Sequence, residues 1–92
     1  MNWTPGEWRC DTVGAHRFIH SESGKTIAHL APDAGIKPRQ RTANGNLIAA
    51  APDLYAALDA IIDAVFDDGT RVNRDHFAAA RAALQKARGE QS

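Results

Sequence analysis

One cysteine in 92 residues removes whole classes of chemistry. Cys10 has no partner for an intramolecular disulfide, and a cysteine-rich metal knuckle is excluded. A reducing cytosol suits such a chain. An excess of charge is missing as well, since Lys+Arg and Asp+Glu stand at 11 each. That balance argues against a strong non-specific grip on nucleic acid, which draws on surplus positive charge, and against an acidic mimic of DNA. It also gives little protection from self-association, so a homodimer belongs among the expectations. No long apolar run is present. The greasiest stretch, "LIAAAPDLYAALDAII", is interrupted by Pro52, Asp53 and Asp59, so no membrane span is expected. "MNWTPGEWRCD" lacks a basic segment followed by an apolar core, so no signal peptide is expected. No glycine-rich phosphate loop occurs, because "GNLIAA" and "ESGK" lack the glycine spacing.

What is there points to one α+β domain over residues 1–92: a β-meander to residue 31, a connector over 32–41 and a helical part over 42–89. Thr4-Pro5-Gly6-Glu7 is a turn, with proline presetting φ and Gly6 taking the positive φ of a type II turn. Three strands follow, Trp8 to Val13, His16 to Ser21 and Thr26 to Leu30, in an antiparallel meander. "ESGK" marks the second hairpin, with Gly24 at positive φ. Two registers are open there. A two-residue turn puts His20 and His29 on the face of Phe18 and Ile27. A three-residue turn with a Gly24 bulge sets Ile19 opposite Ile27, and is favoured because two β-branched residues then meet.

Ala31 to Arg41 contains two prolines and a glycine, and is expected as an exposed, mobile connector carrying Lys37, Arg39 and Arg41. Thr42 is placed to cap a short helix from about Ala43 to Ala50, weakened at Gly45 by about 1 kcal/mol relative to alanine. Pro52 lacks a backbone donor and pushes Ala51 from helical angles, yet suits the first position of a new helix, with Asp53 complementing its dipole. A bend at Ala51 and a second helix from Pro52 to about Asp67 follow. Leu54, Tyr55, Leu58, Ile61, Ile62, Val65 and Phe66 recur at helical spacing and predict one buried stripe, with Asp53, Asp59, Asp63 and Asp67 largely toward solvent. "DDGT" ends this helix. Asn73 caps a third, Val72 and Phe77 are placed as a hydrophobic staple, Ala80, Leu84 and Ala87 extend the stripe, and Gly89 stops it. The two long helices should form an antiparallel hairpin with the sheet packed across it.

Candidate chemistry is sparse. His16, His20, His29 and His76 match no zinc spacing, so no metal or other cofactor is expected. A catalytic Cys10 would need a histidine base and a depressed pKa, whereas a lone strand cysteine is ordinarily a small buried residue, so no catalytic residue is assigned. Lys37, Arg39 and Arg41, joined by Arg71 and Arg74, are the candidates for contact with a partner. Trp3, ahead of the first strand, is the candidate aromatic anchor.

"WTPGEW" at Trp3 to Trp8 and "TANGNLIAAAPDLYAAL" at Thr42 to Leu58 resemble the signatures of a class of small phage and prophage accessory proteins. That class opens with a Thr-Pro-Gly-x-Trp turn and carries an Asn-Ala-x-Leu-Ile-Ala-Ala-Ala-Pro-Asp-Leu-Leu run. Asn44, Leu47 to Ala51, Pro52, Asp53 and Leu54 match the run; Gly45 stands where alanine is usual and Tyr55 where an aliphatic residue is usual. The resemblance implies phage origin and residence in the cytoplasm of an infected bacterium, and no catalytic residue. The expectation is a non-enzymatic module that binds a host protein or protein complex, an inhibitor of host defence of the anti-CRISPR type. The alternatives are a small nucleic-acid-binding regulator and a small-ligand sponge acting as a dimer.

Overall fold

The three strands form where alternation and turn residues place them: β1 Trp8–Val13, β2 His16–Ser21 and β3 Thr26–Leu30, in sheet order β1-β2-β3. The computed structural model describes residues 3–66 and 74–89, with the side chain of Phe66 outside the description. Gly14 and Gly24 take positive φ in the two turns. The second hairpin closes over three residues, with the Ser21 amide donating to the Lys25 carbonyl at 2.8 Å and the Gly24 amide to the Ser21 carbonyl at 2.9 Å. His20 therefore pairs with Thr26. The favoured pairing of Ile19 with Ile27 does not continue from there. The register shifts between Ile19 and His20, so Ile19 lies opposite Ala28 and Phe18 opposite His29. Both registers thus occur, one on each side of a β-bulge at Ile27.

The connector is shorter than expected. Helix α1 spans Pro38–Ala49, so the connector ends at Lys37 and Thr42 is not a cap. Pro38 starts this helix, and Pro52 is tolerated in the first turn of the next, because the missing N–H is one of those a first turn leaves unpaired. The Gln40 side chain accepts the Lys37 amide proton at 2.9 Å. Thr42, inside α1, donates to the Pro38 carbonyl at 3.2 Å. Asp33 and Ile36 form an isolated bridge that tightens the loop before Lys37.

Helix α2 spans Ala51–Phe66 and α3 Arg74–Arg88. Ala50 alone separates α1 from α2, and its carbonyl accepts the Leu54 amide at 2.9 Å. The expected break ahead of Pro52 is there, but it falls at Ala50 and not at Ala51: Ala51 is the first residue of α2, and Ala50 itself keeps right-handed helical angles. Gly89 follows α3 with φ +80°. "DDGT", Arg71, Val72 and Asn73 lie outside the described residues, and with them the expected cap and staple.

Two packing expectations are overturned. The sheet lies on α1, through Cys10, Arg17 and Leu30 against Gly45, rather than across the α2–α3 pair. The large apolar stripe is not buried in the chain. Ala57, Ala64 and Ala83 make the buried seam of α2 with α3, with Leu54 and Ile61 half-buried beside it, while Tyr55, Leu58, Ile62, Val65, Phe77 and Leu84 are exposed; Asp53, expected toward solvent, is half-buried against Lys86. Small side chains let the two helix backbones approach closely, which turns the seam about a quarter-turn from the large residues. Among the described residues Ile19 is the one large apolar side chain in the fully buried class. The molecule is elongated, 51 × 24 × 24 Å, with the sheet and α1 as its head and α2–α3 as an arm whose helix α3 also packs against α1.

Candidate partner-binding surface

Alternation along β2 sends Ile19 and Arg17 toward α1, and sends His16, Phe18 and His20 to the other face of the sheet. Arg9, Asp11 and Val13 of β1 and His29 of β3 share that second face, which no described helix packs against. It carries a stack of rings. Phe18 and His29 lie face to face with centroids 4.3 Å apart and planes 5° from parallel. His16 stacks beside His29 at 5.0 Å, and their facing nitrogens, Nδ1 and Nε2, are 2.8 Å apart, one donating to the other. Val13, 60% exposed, sits opposite His16 at one edge. At the other edge the His20 imidazole pairs with the Asp11 carboxylate. That carboxylate and the Ser21 carbonyl raise the His20 pKa from its ordinary value.

Such a surface can stack a planar group, cover an apolar side chain and exchange hydrogen bonds through imidazole nitrogens. The histidine pairing differs from the one weighed from the sequence: His29 meets His16, and His20 turns to Asp11. The signal was legible as the period-two spacing of His16, Phe18 and His20. The less favoured of the two registers already put His29 on the face of Phe18; the bulge at Ile27, which lets that register follow a three-residue turn, was not legible.

The sequence-derived contact residues do not gather. Lys37 and Arg39 are exposed at the start of α1. Arg41 belongs to the same turn but points inward, and is only 5% exposed. Its Nη1 donates to the Ala15 carbonyl at 2.9 Å and its Nη2 reaches the Ile36 carbonyl at 3.5 Å. It holds the first hairpin turn to the loop before α1, which corrects its place in an exposed basic cluster. Arg74 is exposed at the start of α3, and Arg71 lies outside the described residues. Trp3 is half-buried against Tyr55 at the start of α2, centroids 4.6 Å apart and edge to face. Tyr55 and the Arg74 end of the arm are about 15 Å apart along the helices, so no single patch contains these residues.

Cys10 lies on the helix-covered face. Burial pushes its thiol pKa up, Arg17 works against that shift and Asp11 adds to it, so the thiolate a nucleophile needs is disfavoured. A polar cavity of about 450 Å³ opens beside β1, lined by Glu7, Arg9, Cys10, Asp11, Asn46 and Lys86 among others. Its charged groups are engaged with one another: Lys86 lies 3.4 Å from Glu7, and Glu7 3.6 Å from Arg9. Among the described residues no group of three or more His, Cys, Asp or Glu side chains is placed to hold a metal, and no helix is long and apolar enough to cross a membrane.

No solved structure and no curated protein matches the chain. A family model does match, that of Salmonella phage P22 protein Y8K6, over residues 1–91. With a match of that extent, the chain belongs to the family of the Salmonella phage P22 protein Y8K6.

Proposed function

We propose that this phage-family chain is a non-enzymatic module that binds a host protein, and that it serves the phage by inhibiting a host defence system of the anti-CRISPR kind. The observation that carries the reading is the ring stack of His16, Phe18 and His29 on the outer face of the sheet. A pre-ordered aromatic cluster loses little conformational entropy on docking, and aromatic anchors commonly dominate protein interfaces. The reading places the protein in the cytoplasm of the infected bacterium. The test compares phage plating on a host with an active defence system, with and without the chain expressed. Wild-type chain should raise plating efficiency, and Phe18→Asp should abolish the effect while circular dichroism stays native. Equal plating with and without the wild-type chain sinks the proposal.

A second reading, a nucleic-acid regulator, is favoured by the same flat Phe18–His29 stack, which could receive an unpaired base, with Arg9 on the same face. The balanced net charge weighs against it. Binding to single strands that weakens steeply with salt and is lost in Phe18→Asp would decide for this reading.

A further inference from the structure

One side of the α2–α3 arm is left uncovered by the chain. With Ala57 set toward α3 and about 100° added per residue, Leu58, Ile62 and Val65 fall on one flank of α2. With Ala83 set toward α2, Phe77 and Leu84 fall on one flank of α3. The helices are antiparallel, since Lys86 near the end of α3 meets Asp53 near the start of α2 at 2.6 Å. In an antiparallel pair those two flanks lie on the same side. The opposite side is an alanine-walled groove with Ala56, Ala60, Ala79 and Ala82.

The uncovered side presents Leu58, Ile62, Val65, Phe77 and Leu84, each 45% to 59% exposed. Two helices about 24 and 22 Å long, with axes about 10 Å apart, give a projected face of roughly 500 Å², the same order as the ~800 Å² per partner in a standard interface. Large apolar groups that remain in water contribute nothing to holding the arm together, and its seam rests on alanines with Leu54 and Ile61 only half-buried. An occupant present from synthesis onward would add the burial that this side of the arm lacks. A host target is met only on encounter, whereas a second copy is made alongside the first.

The charges favour a second copy too. Helix α2 carries Asp53, Asp59 and Asp63 and no basic residue, while α3 carries Arg74, Arg81, Lys86 and Arg88 against the single acid Asp75. We infer that the chain is a homodimer in which the two α2–α3 arms pack face to face as a four-helix bundle, α2 of each copy lying on α3 of the other. With Lys86 level with Asp53, Asp59 stands level with Arg81 to within about one residue. A two-fold axis parallel to the helices then brings Asp59 of one copy beside Arg81 of the other, and closes the assembly at two. An axis perpendicular to the helices would lay α2 on α2 and bring the aspartates together. The dimer leaves the ring stack on the sheet free, and it stands or falls separately from the function proposed for that face.

Sedimentation equilibrium of the whole chain tests the inference. Wild-type protein sediments as a dimer at micromolar concentration, and Leu58→Glu or Ile62→Glu abolishes the dimer. Asp59→Arg and Arg81→Asp, which lie at the rim and leave the arm's own seam intact, each raise the dimer dissociation constant several-fold to about tenfold. The double variant returns it to within about twofold of wild type. A wild-type chain that stays monomeric with native helical circular dichroism overturns the inference, as does a dimer indifferent to Leu58→Glu. A double variant weaker than either single variant overturns the α2-on-α3 arrangement. Complex formation between a monomeric wild-type chain and a host protein would assign the face to that host protein and overturn it too.

Discussion

Gly45 of α1 approaches Cys10 of β1 so closely that a Cβ on the glycine would stand 2.7 Å from the cysteine sulfur. The helix is seated on the sheet at this point, and the glycine is what lets it in. Alanine at position 45 would improve helix propensity by about 1 kcal/mol. Forcing the sulfur aside costs about 1–3 kcal/mol, since the cysteine has a single side-chain torsion with which to give way. Gly45→Ala is therefore expected to destabilise the protein by about 1 kcal/mol in urea denaturation. In a Cys10→Ala background the sign should reverse. The same sign in both backgrounds would show that the close approach does not govern the choice of residue.

Arg41 offers a second test, because its guanidinium is spent on the Ala15 and Ile36 carbonyls inside the head. Arg41→Ala leaves those carbonyls without a charged donor and opens a void. A loss of about 2–4 kcal/mol is expected, against less than about 0.5 kcal/mol for Arg39→Ala two residues earlier. Paired urea titrations decide it. Equal effects would mean that Arg41 is not the tie between the first hairpin turn and the loop.

These two residues also show where the sequence was legible. The strand limits were, because alternation and the turn glycines are local signals. The break ahead of Pro52 was, to within one residue, because the chemistry of a first helical turn is local. The same logic holds at Pro38, where the density of prolines and glycine over residues 31–38 read instead as a loop. Side-chain destinations were less legible, because they depend on which helix meets which face. Arg41 looks like a neighbour of Arg39, but a helix turns alternate residues to different sides, and only the packing of α1 on the sheet decides which one is covered. The apolar pattern of α2 was read correctly as a stripe and wrongly as one buried within the chain. Alanine periodicity at 57, 64 and 83 carried the seam, and hydrophobic pattern weighs large side chains over small ones. The ring stack on the sheet depended on a bulge that no composition signal marks.

Lys86 joins the head to the arm. Its ammonium lies 2.6 Å from Asp53 and 3.4 Å from Glu7, and its side chain is nearly covered. Lys86→Met keeps the stem packing and removes the charge, and should cost about 1 kcal/mol, with Asp53→Asn costing more than Glu7→Gln because the shorter contact is the stronger. The double variant Lys86→Met with Asp53→Asn should lose less than the two single losses added together. Strict additivity in thermal melts would remove this ion pair from the account of how the arm is held.

The pairing of His20 with Asp11 gives a pH signature on the outer sheet face. Hydrogen bonding to Asp11 is the main cause of the raised His20 pKa, the Ser21 carbonyl contributes, and Arg9 on the neighbouring strand opposes it. The protonated imidazole is thus the form the fold favours. Its stabilising contribution is fully present below the unfolded histidine value of about 6.5, and is lost as pH rises through the higher folded value. Asp11→Asn removes the carboxylate while keeping an acceptor, so the titration midpoint of the His20 ring, followed by NMR, should fall toward the unfolded value. The pH dependence of unfolding between that value and the folded one should flatten with it. A midpoint unmoved by Asp11→Asn would mean that the carboxylate does not hold the imidazole in solution.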